Sequence, residues 1–136
     1  MNEQLLETLR GFRQDLGLVV VLYQQLFEGR FWVLAQRPAE QLETMLFLNY
    51  PAQGGVRELP VFTARDRGLL TKFTAEVPDC MMVEIEGARL WPRLLDIVRT
   101  RELEAAVDPG EQYGIRLTRE MILGMISQYE TAQPSA

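Results

Sequence analysis

Between residues 5 and 27, apolar side chains recur at steps of three and four: Leu5, Leu6, Leu9, Phe12, Leu16, Val19, Val20, Tyr23, Leu26 and Phe27. That period is the stripe of an amphipathic helix. It predicts helix over about residues 2–28, which is long for one globular helix. A break is therefore expected near residues 14–17, with Asp15 as a second N-cap and Gly29 as the stop. The pattern then changes. Phe31-Trp32-Val33-Leu34-Ala35 is rich in aromatic and β-branched residues and predicts a first strand. Thr44 to Leu48, apolar on both faces, predicts a second and interior one. Gly54-Gly55 offers a turn able to hold positive φ.

Glu58 to Phe62 predicts a third strand, in which Pro60, lacking an N–H, must sit at the start or at an unpaired position. Thr63-Ala64-Arg65-Asp66 has the spacing of a capping box. It predicts a helix with Leu69, Leu70 and Phe73 on its inner face and Thr63 accepting the Asp66 N–H. Met81 to Ile85 reads as a fourth strand. Leu90 to Thr100 reads as a helix with Pro92 in its first turn, and Leu103 to Val107 as a fifth strand. Thr118 caps a last helix carrying Ile122, Met125, Ile126 and Tyr129 on one side; residues 131–136 are expected to fray. The fold class is thus α/β: one domain over residues 1–136, with a helical segment at 1–29, a five-stranded mixed sheet and a C-terminal helix. Its second half is β-α-β-α-β, so strands three to five are expected as parallel neighbours or near neighbours.

Composition narrows the function. The 136 residues are 47% hydrophobic and 24% charged, the profile of a soluble globular domain able to bury its own core. Net charge is −5, from 19 acidic and 14 basic residues, with no basic cluster, so no nucleic-acid partner is expected. The apolar run Leu16 to Tyr23 is too short for a bilayer and wrongly flanked for a signal peptide; a cytoplasmic location and no membrane partner follow as expectations. The chain has no histidine, and Cys80 is its one cysteine. The commonest general base and metal ligand are missing, and no intrachain disulfide can form. No enzymatic activity, catalytic residue, metal or cofactor is expected.

Ligands of sheets with parallel strands favour the crevice outside the strands' carboxyl ends. Phe62-Thr63, Glu86-Gly87 and Asp108-Pro109-Gly110 all follow such strands. The candidate ligand or partner edge is therefore Phe62, Thr63, Arg65, Glu86, Asp108, Pro109 and Gly110. A helix headed by Thr63 would present free N–H groups to an anion, helped by Arg65 and Arg67. The same residues also suit purely structural work as a cap and two turns. Glu84 and Glu86 share a strand face; with no third acidic residue nearby, an edge-strand or solvated face fits better than a cation site. Cys80 has no basic residue within four positions and reads as a buried or idle thiol. Leu16, Val19, Val20, Val21 and Leu22 crowd more than one side of the N-terminal helix. That segment is offered to a second copy in a homodimer, or is sandwiched between the sheet and the C-terminal helix.

Four stretches taken in order carry a family resemblance: Leu26-Phe27-Glu28-Gly29-Arg30-Phe31-Trp32-Val33-Leu34, Glu58-Leu59-Pro60-Val61-Phe62-Thr63-Ala64, Val107-Asp108-Pro109-Gly110, and Ile115 to Ile122 as a short strand leading into the last helix. They resemble the N-terminal domain of the bacterial SseB family (enhanced serine sensitivity) over roughly residues 20–130. The chain departs from the family in having Asp108 where Asn is common. Many members carry a second, C-terminal domain, whereas these 136 residues are expected to form one. The resemblance implies a mixed α/β fold with no established enzymatic activity and no assigned catalytic residues. The expected function is a non-catalytic protein-interaction or regulatory module with an unknown protein partner. The alternative is a small-molecule sensing domain that binds an amino acid or anion at the strand-end edge.

Overall fold

A computed structural model describes residues 3–12, 15–37, 40–101 and 103–132. The N-terminal stripe forms α1 (Glu3–Phe12) and α2 (Val19–Glu28), separated by a 3-10 turn at Leu16–Leu18. The break falls where expected, but Asp15 caps the 3-10 turn, its Oδ1 accepting the Gly17 N–H at 2.9 Å, and the N-cap of α2 is Leu18, which has no side-chain cap. Gly29 ends α2 by donating its N–H to the Gln25 carbonyl. The Leu26 carbonyl, left over at the helix end, accepts the indole N–H of Trp91 at 2.8 Å.

The architecture is mixed α/β. β1 (Arg30–Gln36) pairs antiparallel with β4 (Cys80–Glu86), and Val33 lies opposite Val83. β3 (Arg57–Val61) runs parallel to β5 (Leu103–Val107), while β2 (Tyr50–Pro51) and β6 (Ile115–Leu117) flank them antiparallel. Trp32 and Phe62 exchange backbone hydrogen bonds of 2.8 Å, an antiparallel bridge that joins the two sheets. In place of the expected five-stranded sheet there are a four-stranded sheet, β2-β3-β5-β6, and a two-stranded one, β1-β4, and across the bridge β4 points the same way as β3. The parallel neighbours predicted from the sequence are thus β3 and β5; β4 is a near neighbour, with β1 between.

The expected second strand at residues 44–48 is corrected. A 3-10 turn occupies Leu42–Thr44, Phe47 makes one bridge to Ala35, and the true strand is the two-residue β2. Pro60 supplies the reason. Extending the Trp32–Phe62 bridge would set Leu34 against Pro60, which has no N–H to donate. The Leu34 carbonyl instead accepts the Leu48 N–H at 2.9 Å, and the 46–51 segment fills the gap between β1 and β3. Pro60 is therefore at an unpaired position inside the strand. β6, absent from the five-strand reading, is the short strand that the family resemblance placed after Ile115.

α3 (Gly68–Glu76) covers one sheet face over Leu34, Phe62 and Leu70. α1, α2, α4 (Gly87–Arg101) and α5 (Arg119–Ala132) enclose the main core on the other, around Phe31, Val33, Leu59, Trp91 and Leu94. α4 starts three residues before its predicted limit, so Pro92 falls in the second turn with its ring exposed. The Thr118 cap is present, its Oγ accepting the Met121 N–H at 3.2 Å. α5 runs through Thr131 and Ala132; the rest of the tail expected to fray, residues 133–136, lies outside the described residues.

Candidate strand-end site

β3 and β5 end side by side, and one carboxylate ties them together. Asp108 is fully buried. Its Oδ1 accepts the Thr63 N–H at 2.8 Å, and its Oδ2 accepts the hydroxyls of Thr63 and, at 2.9 Å, Tyr113. The Arg67 guanidinium lies 3.3 Å from the same oxygen and also donates to Thr63 Oγ. A buried carboxylate is tolerated because donors and a cation surround it. Asp108 holds φ at +47°, a region Asp and Asn enter more readily than other side chains. Its own N–H donates to the Val61 carbonyl at 2.8 Å. Gly110 takes φ +91° in the same turn. Burial, and then the Asp108 charge and hydrogen bond, push the Tyr113 hydroxyl from its ordinary value of 10.0 to about 12.

This overturns the capping reading of Thr63. Residues 64–67 are turn, and α3 begins only at Gly68, behind an N-cap Arg67 whose side chain caps nothing. The Thr63 hydroxyl donates to Asp108 instead, because a buried carboxylate is a stronger partner than a backbone amide. Thr63 heads no helix, so the anion site built on that helix start is withdrawn.

Beside the pinned loop lies an open cleft of about 610 Å³, lined by Trp32, Thr63, Ala64, Arg65 and Arg67 together with Arg30, Glu28, Glu84 and the α1 residues Glu3 and Leu6. The Arg65 guanidinium sits over the Trp32 ring, 5.3 Å from its centroid. Of the residues predicted for the edge, Thr63 and Arg65 form its wall. Phe62 is buried at the bridge beneath, and Asp108 is sealed behind Thr63. Glu86 is linked through Arg30, at 3.3 Å. Pro109 and Gly110 do not line the cleft. Trp32 and Arg30 were not foreseen, and Glu84 was weighed only as the face partner of Glu86. Their signal was the alternation of β1, which turns Phe31 and Val33 to the core and Trp32 to the other face, opposite Glu84.

A smaller cavity, about 210 Å³, lies between the 45–49 segment and α4 and contains none of the predicted residues. At the far end of β3, Glu58 forms a second network: it accepts from the Tyr50 hydroxyl at 2.8 Å and pairs with Arg116. Burial, then the Glu58 hydrogen bond, raises the Tyr50 hydroxyl well above its ordinary value. Among the described residues, no helix is long and apolar enough to cross a membrane. No protein-family model and no curated protein matches the chain.

Proposed function

We propose that the chain is a non-catalytic protein-interaction or regulatory module of the SseB-like type, working through the strand-end cleft. Two of the stretches that resemble the SseB family, 26–34 and 58–64, contribute residues to its lining. The observation that carries the reading is the exposed Arg65 stacked on Trp32 at the mouth of a cleft whose wall residues Thr63 and Arg67 are already bonded to the buried Asp108. Thr63, Asp108, Arg67 and Tyr113 are committed among themselves, so the fold holds the Arg65–Trp32 pair without spending it. Arginine and tryptophan are the residue types that most often dominate interface energies. Co-purification from native cells tests this. Arg65→Glu is expected to lose the bound protein, whereas Val20→Glu, on the exposed side of α2, keeps it. Equal recovery with both variants refutes the reading.

A second reading, a small-molecule sensor for an amino acid or anion, is favoured by the volume and lining of the same cleft. About 610 Å³ falls within the range of small-ligand pockets. The walls carry guanidinium groups and carboxylates together, which suits a zwitterion. Calorimetry with free amino acids and with inorganic phosphate tests it. Saturable binding lost in Arg65→Glu would support the sensor over the protein module.

A further inference from the structure

The two ends of the sheet are built differently. β6 closes one side with three residues and a central charge, Arg116. β4 closes the other with seven residues, Cys-Met-Met-Val-Glu-Ile-Glu, containing no proline, lysine or arginine. Natural sheets blunt exposed edges with short strands, charged residues (lysine above all) or proline. β4 is long, has no proline or basic residue, and confines its charges to Glu84 and Glu86 at one end. One face, Met81, Val83 and Ile85, is wholly apolar; the other is apolar at Cys80 and Met82 and carries carboxylates at Glu84 and Glu86. Val83 and Ile85 pack toward the main core, Cys80 and Met82 toward the cluster under α3. Yet Cys80, Met81, Met82 and Val83 remain only half-buried.

The hydrogen-bond phase of this edge follows from its neighbours. Gly87 N–H donates to the Gly29 carbonyl and Arg37 N–H to the Asp79 carbonyl, each at 2.7 Å. Residues 79 and 87 therefore face β1, and by alternation so do Met81, Val83 and Ile85. The N–H and C=O groups of Cys80, Met82, Glu84 and Glu86 point outward. Among the described residues no strand pairs with them.

We propose that β4 pairs antiparallel with β4 of a second copy, about a two-fold axis at Val83, so that the sheet runs continuously through a homodimer. A two-fold antiparallel pair must match outward groups with outward groups, which leaves few registers. Centring on Glu84 sets Glu84 against itself. Centring on Met82 brings Pro78, without an N–H, opposite Glu86. Centring on Val83 uses the whole strand. It places Met82 opposite Glu84 and Cys80 opposite Glu86, with no carboxylate directly facing another. Glu86 carries its own counter-ion, Arg30 at 3.3 Å. The strand thus matches itself in length and hydrogen-bond phase, this register keeps carboxylates from facing one another directly, and the commonest soluble assembly is a two-fold dimer.

The test is sedimentation velocity on the full chain over a concentration series, with two kinds of variant. Met82→Pro removes an outward N–H and leaves the β1 ladder its bonds; it should weaken the dimer at least about tenfold, with an unchanged circular dichroism spectrum. If that variant does not fold, Met82→Lys serves the same purpose from the side chain. Val83→Cys in a Cys80→Ser background should cross-link to a dimer on mild oxidation, because the two-fold brings the Val83 positions together as a close, non-hydrogen-bonded pair. The wild-type Cys80 thiols, at opposite ends of the paired strands, should not cross-link. A chain that stays monomeric at every concentration overturns the proposal. So does a dimer that survives Met82→Pro and is lost in Val20→Glu, which would place the contact on the N-terminal segment.

Discussion

Asp108 concentrates four donor contacts on one carboxylate: the Thr63 N–H and hydroxyl, the Tyr113 hydroxyl and the Arg67 guanidinium. Asp108→Ala strips all of them and should cost about 3 kcal/mol, the lower end for breaking a buried ion pair, because Arg67 retains some solvent access. Asp108→Asn preserves the tolerance for positive φ but has one acceptor oxygen and brings an NH₂ toward groups that also donate. A loss of about 1–3 kcal/mol is expected. Urea denaturation measures both. Tyr113 adds a pH signature. Its hydroxyl holds its proton to about pH 12 when folded, against 10.0 otherwise. Between those values the folded chain binds a proton that the unfolded chain has released, so stability is intact below about pH 10 and falls as pH rises toward 12. Tyr113→Phe should flatten that fall in denaturation curves taken across the range. The turn at Asp108-Pro109-Gly110 was legible because its chemistry is local. The bond from Thr63 was not, since its partner lies 45 residues away and outcompetes the local Thr-x-x-Asp box.

At the scale of elements, the junction of α2 with α4 shows how two helices are locked end to side. Gly87 opens α4 against the last carbonyls of α2, and a Cβ there would overlap the oxygens of Leu26 and Phe27. Four residues on, Trp91 donates to that same Leu26 carbonyl. Trp91→Phe keeps most of the buried ring but orphans the carbonyl, and a loss of about 1–3 kcal/mol in thermal or urea unfolding is expected. Gly87→Ala should be worse, since backbone cannot move aside as a side chain does. The helices themselves were readable from their period, as were the strands rich in β-branched residues. The 44–48 run was misread because its apolar pattern fits a strand equally well. What decides there is a missing N–H on Pro60, whose effect is felt on the facing strand and not at its own position.

For the molecule as a whole, sequence pattern carried the layering and the strand-end location of the candidate site, but not the cleft. The cleft depends on α1 and β1 meeting the 63–67 loop, and no local signal encodes that meeting. The N-terminal segment proved intermediate between its two readings: Leu22, Leu26 and Phe27 are buried within the chain, while Val20 and Val21 stay exposed at 56% and 43%. One topological feature has a consequence for how the chain reaches this state. The long ladders interleave: β1 closes on β4 and β3 closes on β5, so Phe31 waits for Ile85 while Leu59 waits for Ala105. Each ladder straddles the midpoint of the chain, and each loop contains a strand of the other. Such non-local closure is slow, on the order of milliseconds to seconds. It also makes the two closures one event. The two tryptophans report on different regions, Trp32 at the bridge between the ladders and Trp91 in the core beneath α2. In stopped-flow refolding, the single-tryptophan variants Trp32→Phe and Trp91→Phe should each show one dominant phase, with the two rates in agreement once corrected for each variant's effect on stability.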